Sequence, residues 1–433
     1  MSEASRQLAR AIFHEAMAAT TVEAACHRAL HMDGNTLHAN DLAIDLTAIT
    51  AIQIISIGKA GATLFDAVRK ILPQNISTHA VISAPFPPQH LTANDSFFPG
   101  GHPLPNAASL EAAQAALDLL STANATTLVL FLISGGASAM FEQPIDASIT
   151  LDELIELNRQ LVASGAAIQQ INTVRKHLSA VKGGHLAAAA PSATKLSLLI
   201  SDVPSNALDA LASGPTLPDT TTVEQTLSIV AEFLPSPPRS IRALLPGLIE
   251  TPKPDHPTFA NAHHTILLDN AELLAAAQQA AEHRGFHVTI DNSCDDWPYE
   301  RAAAYLLDRS AALTLQHKKS CLLSGGEVTV QLPAVSGAGG RNQQLALFAA
   351  QHLPTDTTLL SVGSDGIDGN SPAAGAVVDG TTWQRAQQVG LDPAQALARF
   401  DTFSVLSAQN DAIVTGPSGN NLRDIRILLT GAS

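Results

Sequence analysis

Aromatic side chains are scarce in this chain: 4% of 433 residues, or 17 against 72 alanines. That balance suits closely packed helices laid on sheets and speaks against an all-β sandwich. Cysteine is nearly absent. Cys26, Cys294 and Cys321 are odd in number and widely spaced, so they make neither a disulfide framework nor a CxxC site. A reducing compartment follows as the expectation. Basic charge is also short, with 24 Lys and Arg against 39 Asp and Glu, a net charge of −15. General nucleic-acid binding needs the opposite balance. A small anion needs only a few local cations, so it stays open. Long apolar runs are missing too. The longest, such as 128–133, fall far short of the ~20 residues of a membrane span. Residues 1–20 carry Glu3, Arg6, Arg10 and Glu15 among apolar residues at helical spacing, an amphipathic helix unlike a signal peptide. A cytoplasmic protein with no membrane or nucleic-acid partner is expected.

What is present is a globular composition, 45% apolar and 15% charged. The length predicts two or three domains. Strand-like runs at 52–57, 79–83, 127–133, 196–200, 265–268, 287–290, 321–323, 358–362 and 425–429 alternate with helical stretches. Several are continuously apolar, as in strands buried on both faces of a parallel sheet. Thr150-Leu-Asp-Glu153 is a capping box opening a helix over 151–164. Asn270 is placed as the cap of a helix over 271–284 that stops at Gly285. The alternation means α/β. Proline recurs in 234–257, which sets the expected organisation: an N-terminal domain over 1–235, a Pro-rich linker over 236–257 and a smaller C-terminal domain over 258–433.

Many strands end in small or polar turns. Gly58-Lys59-Ala60-Gly61, Ser134-Gly135-Gly136-Ala137-Ser138, Ser201-Asp202-Val203-Pro204, Ser324-Gly325-Gly326-Glu327 and the run from Gly363 through Asp365 and Asp368 to Gly369 all follow apolar runs. Ligands of open α/β sheets bind at the carboxyl ends of strands. Glycine lets a backbone approach a ligand closely; tight strand–helix turns need it as well. Lys59 is placed to neutralise a phosphate or carboxylate, or else is an exposed loop lysine. Ser134 to Ser138 resembles a phosphate cradle without the Walker spacing. Residues 171–190 read as one helix, on which Arg175, Ser179 and Lys182 share a face able to hold an acid's carboxylate, or simply a solvated face. Gly183-Gly184 interrupts that helix and marks a local backbone demand. Ser336-Gly-Ala-Gly-Gly340 forms a flexible loop before Arg341-Asn342, a candidate anion clamp. Asp365 and Asp368 suit Mg2+ bound jointly with substrate phosphates, or a pair of Asx turns. No zinc spacing, nucleophile elbow or dinucleotide fingerprint is present.

These segments resemble, in order, the MOFRL-type glycerate 2-kinase family. The resemblance is carried by Ser56-Ile-Gly-Lys59-Ala60, Gly100-Gly-His-Pro103-Leu-Pro105, Leu132-Ile-Ser-Gly-Gly136-Ala-Ser138, Ile171-Asn-Thr-Val-Arg175-Lys-His-Leu-Ser179-Ala-Val-Lys182-Gly-Gly184, Ser201-Asp202-Val203 and Ala212-Ser-Gly-Pro215-Thr216. It continues through Leu323-Ser-Gly-Gly-Glu327, Gly339-Gly-Arg341-Asn342, Asp365-Gly-Ile-Asp368-Gly369 and Thr415-Gly-Pro417.

The resemblance implies a two-lobed α/β enzyme: an N-terminal Rossmann-like, mostly parallel sheet with flanking helices, and a smaller C-terminal α/β domain. It implies phosphorylation of the 2-hydroxyl of D-glycerate by ATP with Mg2+ or another divalent cation, with the family's lysine and arginine positions at Lys59 and Arg341. On that footing Ser134, Gly135, Gly136 and Ser138 cradle ATP phosphates, and Lys59 and Arg341 neutralise the transferring group. Asp202 accepts the hydroxyl proton, Arg175 and Lys182 bind substrate, and Asp365 and Asp368 hold metal. The chain is then a monomer or a homodimer. It departs from the family pattern at Gln344, where Glu is usual, at Ser205-Asn206 in place of Gly-Asp, and at Gly419-Asn-Asn-Leu422 in place of Gly-Thr-Asn-Val. Two of these changes remove a carboxylate, which bears on metal binding or substrate choice. A hydroxypyruvate reductase, a kinase of a longer sugar acid such as a tetronate, and a non-catalytic binding protein are the alternatives.

Overall fold

The computed structural model describes residues 2–431, and the chain separates into two compact units, Val22–Leu267 and Met1–Thr21 with Leu268–Ser433. In the first, six strands lie in the order Asp95–Phe98, Ser77–Ser83, Ala51–Ile57, Thr127–Ile133, Thr194–Ile200, Ala262–Leu268. The first five are parallel. Every residue of Thr127–Ile133 is buried, which is why it reads as an unbroken apolar run. Register fixes where the loops emerge. Ile57 pairs with both Ser83 and Ile133, and Ile133 pairs with Leu199, so four strands finish together. The turns that begin at Gly58, Ser134 and Ser201 therefore leave from one sheet edge.

Helices Gly61–Ile71 and Ala107–Ser121 flank this sheet. The second carries a capping box at Asn106. Leu151–Ala163 opens on the expected capping box at Thr150 and packs with Ile168–His177 and Val223–Phe233 around Leu157, Leu161, Val174 and Ile229. A three-stranded antiparallel meander, Leu30–Asp33, Thr36–Ala39 and Leu42–Asp45, completes the unit.

The second unit has a mixed sheet in the order His287–Ile290, Ser320–Gly325, Asp424–Thr430, Thr357–Gly363, Gly375–Asp379, Ala412–Ile413. Only the first pair is parallel. Asp424–Thr430 runs antiparallel to both neighbours, pairing Gly325 with Ile425 and Gly363 with Asp424. The ends of two strands and the start of a third thus share an edge.

These units depart from the expected boundaries in two places. Helix Ser2–Ala19 belongs with the C-terminal sheet: buried Arg6 donates to Asp379 (2.5 Å) and faces Asp411 (3.5 Å), and Arg10 donates to the Asn410 carbonyl (2.5 Å). The proline-rich 236–257 segment is packed into the first unit and is no free linker. Ile241 is fully buried in the helical cluster, Ser240 donates to Glu153 (2.6 Å) and Thr251 to Asp219 (2.9 Å).

Two helix expectations also change. The stretch 171–190 is broken: its helix ends at His177, a turn follows, and a new turn of helix starts at His185. Gly183 and Gly184 adopt φ of +54° and +86°, a conformation glycine reaches without strain, and this is the demand their presence marked. The cap expected from Asn270 comes from Asp269, which accepts the Glu272 amide (3.0 Å). Asn270 instead holds the edge loops, donating to the Leu422 carbonyl (2.7 Å) and accepting the Gly326 amide (3.2 Å).

Candidate active site

In the first unit the sheet edge brings Lys59, the 134–138 turn and Asp202 together. The Lys59 amide donates to the Gly135 carbonyl (2.9 Å), and buried Ser134 accepts the Ala60 amide on its hydroxyl (3.0 Å). Ser134 is therefore a clamp between two turns, its hydroxyl already engaged. Gly135 and Gly136 permit close approach from both sides. A Cβ at Gly135 would lie 2.0 Å from Asp202 Oδ2, and one at Gly136 3.1 Å from Lys59 Cγ and 3.2 Å from His102 Cδ2. The ammonium-bearing chain, the carboxylate and the imidazole thus surround adjacent glycines of one turn. Lys59 is exposed and Asp202 half-buried. Burial, then the Lys59 charge, lowers the pKa of His102.

Beside this turn lies a cavity of about 140 Å³, lined by His102, Pro103, Gly136, Ser138, Asn158 and Arg175 among others. Arg175 Nε donates to Asn158 Oδ1 (2.8 Å), which fixes the guanidinium at the cavity wall. Ser138 and Ser213 share a hydrogen bond (2.9 Å), and Ser213 donates to Asn172 (3.3 Å). Lys182 does not join them. It is fully buried and ion-paired with Glu142, whose other oxygen accepts the Ser179 hydroxyl (2.6 Å). The physical reason is the broken helix: once the chain turns after His177, Arg175 and Lys182 no longer share a face.

In the second unit the shared edge assembles Glu327, Arg341, Asp365, Asp368 and Asp424. Arg341 opens helix Arg341–Ala349 and forks onto Asp424, Nε to Oδ2 at 2.7 Å and Nη2 to Oδ1 at 3.0 Å. It also meets Glu327 at 2.9 Å. Burial opposes the Arg341 charge, but the Asp424 bonds and the Asp424 and Glu327 charges outweigh it, and its pKa is raised. The clamp is thus held by acidic partners. The loop before it is pinned, not flexible: the amides of Gly337, Ala338 and Gly339 donate to the Arg399 carbonyl, Asp401 and Asn370.

Asp368 does not fit the role of a metal ligand. Its two oxygens accept the Asn342 amide (3.0 Å) and the Gln343 amide (2.9 Å), capping the helix that Arg341 begins. Burial pushes its carboxyl up to about 6 against those donors. Asp365 is half-buried and accepts the Ile367 amide (3.0 Å), the Asx-turn alternative. Among the described residues no group of three or more His, Cys, Asp or Glu is placed to hold a metal ion.

Two family models match the chain: a domain of unknown function, DUF4147, over residues 8–246, and the MOFRL family over 320–424. A D-glycerate 2-kinase of Thermotoga maritima is 33% identical, covering 86% of this chain and 89% of that one. A human glycerate kinase is 32% identical, covering 99% and 93%. The crystal structure of a Thermotoga maritima glycerate kinase superposes with a TM-score of 0.87 at 30% identity, over 99% of this chain and 100% of that one. The chain belongs to the glycerate 2-kinase family.

Gln344, where the family pattern usually has Glu, makes its hydrogen bonds away from Asp368. It is buried on the inner face of its helix and donates to the Leu397 carbonyl (3.0 Å) and the Tyr299 hydroxyl (3.3 Å). The carboxylate lost there is a packing position. The residues that sequence reasoning left without a role are His102, Asn158, Ser213 and Asp424. His102 stood inside the family's Gly100–Pro105 motif, and that was its only signal. Asp424 lies within the MOFRL match but outside every quoted motif.

Proposed function

We propose that the protein transfers the terminal phosphoryl group of ATP to the 2-hydroxyl of D-glycerate, giving 2-phospho-D-glycerate and ADP. The observation that carries this reading is the placement of Lys59 and Asp202 against neighbouring glycines of one turn. Phosphoryl transfer asks a protein for positioning and charge neutralisation more than for covalent chemistry. Asp202 takes the proton of the 2-hydroxyl; the freed oxygen attacks phosphorus; the bond to the ADP oxygen breaks, leaving its electron pair on ADP. Lys59 neutralises the group in transit. Arg175 takes the glycerate carboxylate in a cavity of about 140 Å³, a size for a three-carbon acid and too small for a nucleotide. The donor is ATP carrying its own divalent cation on the phosphates, as Mg2+ usually travels. No step is assigned to a protein-held metal, because Asp368 caps a helix.

The test is incubation with D-glycerate, ATP and Mg2+, followed by phosphorus NMR. A product phosphorus split into a doublet by the single C2 proton supports the reading. A triplet places the phosphate on carbon 3. Turnover only with a tetronate moves the substrate to a longer acid, and NAD(P)H consumption with hydroxypyruvate without ADP formation replaces the kinase by a reductase. Three buried free cysteines agree with a cytoplasmic location.

A further inference from the structure

Beside the cavity of about 140 Å³ in the first unit, hydrogen-bond direction runs one way. Ser213 Oγ donates to Asn172 Oδ1 (3.3 Å), and a hydroxyl carries a single proton. In its contact with Ser138 (2.9 Å) Ser213 therefore accepts. The Ser138 proton points at Ser213, away from the cavity that Ser138 lines, and only lone pairs of Ser138 Oγ remain for a ligand. Ser134 is engaged similarly, donating to the Ile57 carbonyl (3.3 Å). We infer that Ser138, held as an acceptor by Ser213 and Asn172, selects an acid with a hydroxyl on carbon 3. Hydrogen or a carboxylate at that carbon is rejected. The inference rests on the kinase reading and deepens it by naming what recognises the third carbon of the substrate.

The chain of bonds is held rigidly. Ser213 is fully buried and Asn172 is 8% exposed, which shields it from water. Ala212, Ser213 and Gly214 adopt consecutive φ of +52°, +59° and +63°. Two of the three carry a Cβ, for which this region is disfavoured. The segment is fastened by the Gly183 and Gly184 amides, which donate to the Ser213 and Gly214 carbonyls (3.0 and 2.8 Å). Backbone strain maintained by its surroundings clusters where ligands are handled. Here it sets Ser213 Oγ within reach of both Ser138 and Asn172.

The size of the acid decides which of its groups meets Ser138. Arg175, on the same cavity, takes the carboxylate, and Asp202 takes the 2-hydroxyl proton, so the remaining polar group is the hydroxyl on carbon 3. That hydroxyl donates into the Ser138 lone pairs. A hydrogen at carbon 3 leaves them unpaired, and a site built for a hydroxyl discriminates against the analogue lacking it. A carboxylate has no proton to give and is repelled.

The test compares the full-length wild type with Ser138→Ala and Ser213→Ala, whose unfolding midpoints confirm folding. Three ligands are titrated by calorimetry without ATP: D-glycerate; D-lactate, which lacks the 3-hydroxyl; and 2-hydroxymalonate, in which a carboxylate replaces the hydroxymethyl group. The wild type is expected to bind D-glycerate about tenfold or more tightly than either of the others. Ser138→Ala is expected to lose about tenfold for D-glycerate and nothing for D-lactate, and the ratio of kcat/KM for the two acids falls alike. Ser213→Ala frees the Ser138 proton, and 2-hydroxymalonate is expected to bind about tenfold more tightly than to the wild type. Mere loosening of the fold does not produce such a gain. Three outcomes overturn the inference: no wild-type preference for D-glycerate, equal losses for D-glycerate and D-lactate in Ser138→Ala, or unchanged 2-hydroxymalonate affinity in folded Ser213→Ala. Should Ser213→Ala not fold, the Ser138→Ala comparison decides alone. A wild type that binds D-glycerate with this preference yet transfers no phosphate to it overturns the kinase reading instead, so the two failures are distinguishable.

Discussion

Arg341 and Asp424, 83 residues apart, are joined by two nearly parallel N–H···O bonds of 2.7 and 3.0 Å. Asp424 is fully buried, so the guanidinium is held from inside the sheet edge and its free side faces outward. Such a fork fixes both the position and the plane of the arginine.

Lysine cannot reproduce that fork. Arg341→Lys keeps the charge and loses the plane, and kcat/KM is expected to fall about 10²-fold. Asp424→Asn is expected to act in the same direction through Arg341, with KM for glycerate near wild type. Steady-state kinetics with both substrates varied checks the pair. Near-wild-type kcat in Asp424→Asn would show that the fork orients nothing of consequence.

Gly135→Ala sets a methyl group 2.0 Å from the Asp202 carboxylate. The carboxylate must move, and a displacement of about 1 Å in a positioned group costs about 10²-fold in rate. Asp202→Asn, which cannot take a proton, is expected to lose about 10²–10⁴-fold in kcat. Unfolding midpoints measured alongside separate loss of chemistry from loss of fold.

Lys182→Met leaves Glu142 buried and unpaired. The expected cost is about 3–5 kcal/mol of stability, read by denaturant unfolding. KM for glycerate in the folded protein stays near wild type, because the ammonium faces Glu142 and not the cavity. A large rise in KM at unchanged stability would restore Lys182 to the substrate.

His102 supplies the pH-dependent prediction. Burial, and after it the Lys59 charge, lowers its pKa below the ordinary 6.5. The folded imidazole binds its proton less readily than the unfolded one, so this residue's effect is a stability that declines as pH falls through 6.5. Lys59→Met removes the neighbouring charge and moves the His102 midpoint upward. Proton NMR of the imidazole measures both midpoints, and a downward shift would place Lys59 elsewhere.

The nine strands expected from apolar runs are all present; seven are buried almost throughout and leave continuous hydrophobic signatures, whereas Ala262–Leu268 and His287–Ile290 are partly exposed. Those missed are mostly short. Leu30–Asp33 and Asp95–Phe98 have four residues each and are partly exposed, and Ala412–Ile413 has two. The glycine turns at 134–136 and 183–184 were legible because close approach and positive φ leave few alternatives. Lys182 and Asn270 were not. Helical spacing was counted across a break at Lys182, and the partners of Asn270 lie as far as 154 residues along the chain. Asp368 was legible as an important carboxylate; that it caps a helix beginning 27 residues earlier depends on tertiary approach alone.

Helix Ser2–Ala19, anchored by Arg6 on Asp379 and Asp411, has an order of events built into it. On the ribosome it emerges before the sheet it covers, which is finished only when Asp424–Thr430 has been made. The Val22–Leu267 unit can condense while the remainder is still being translated. Until the last strand arrives, this amphipathic helix has no finished sheet to cover.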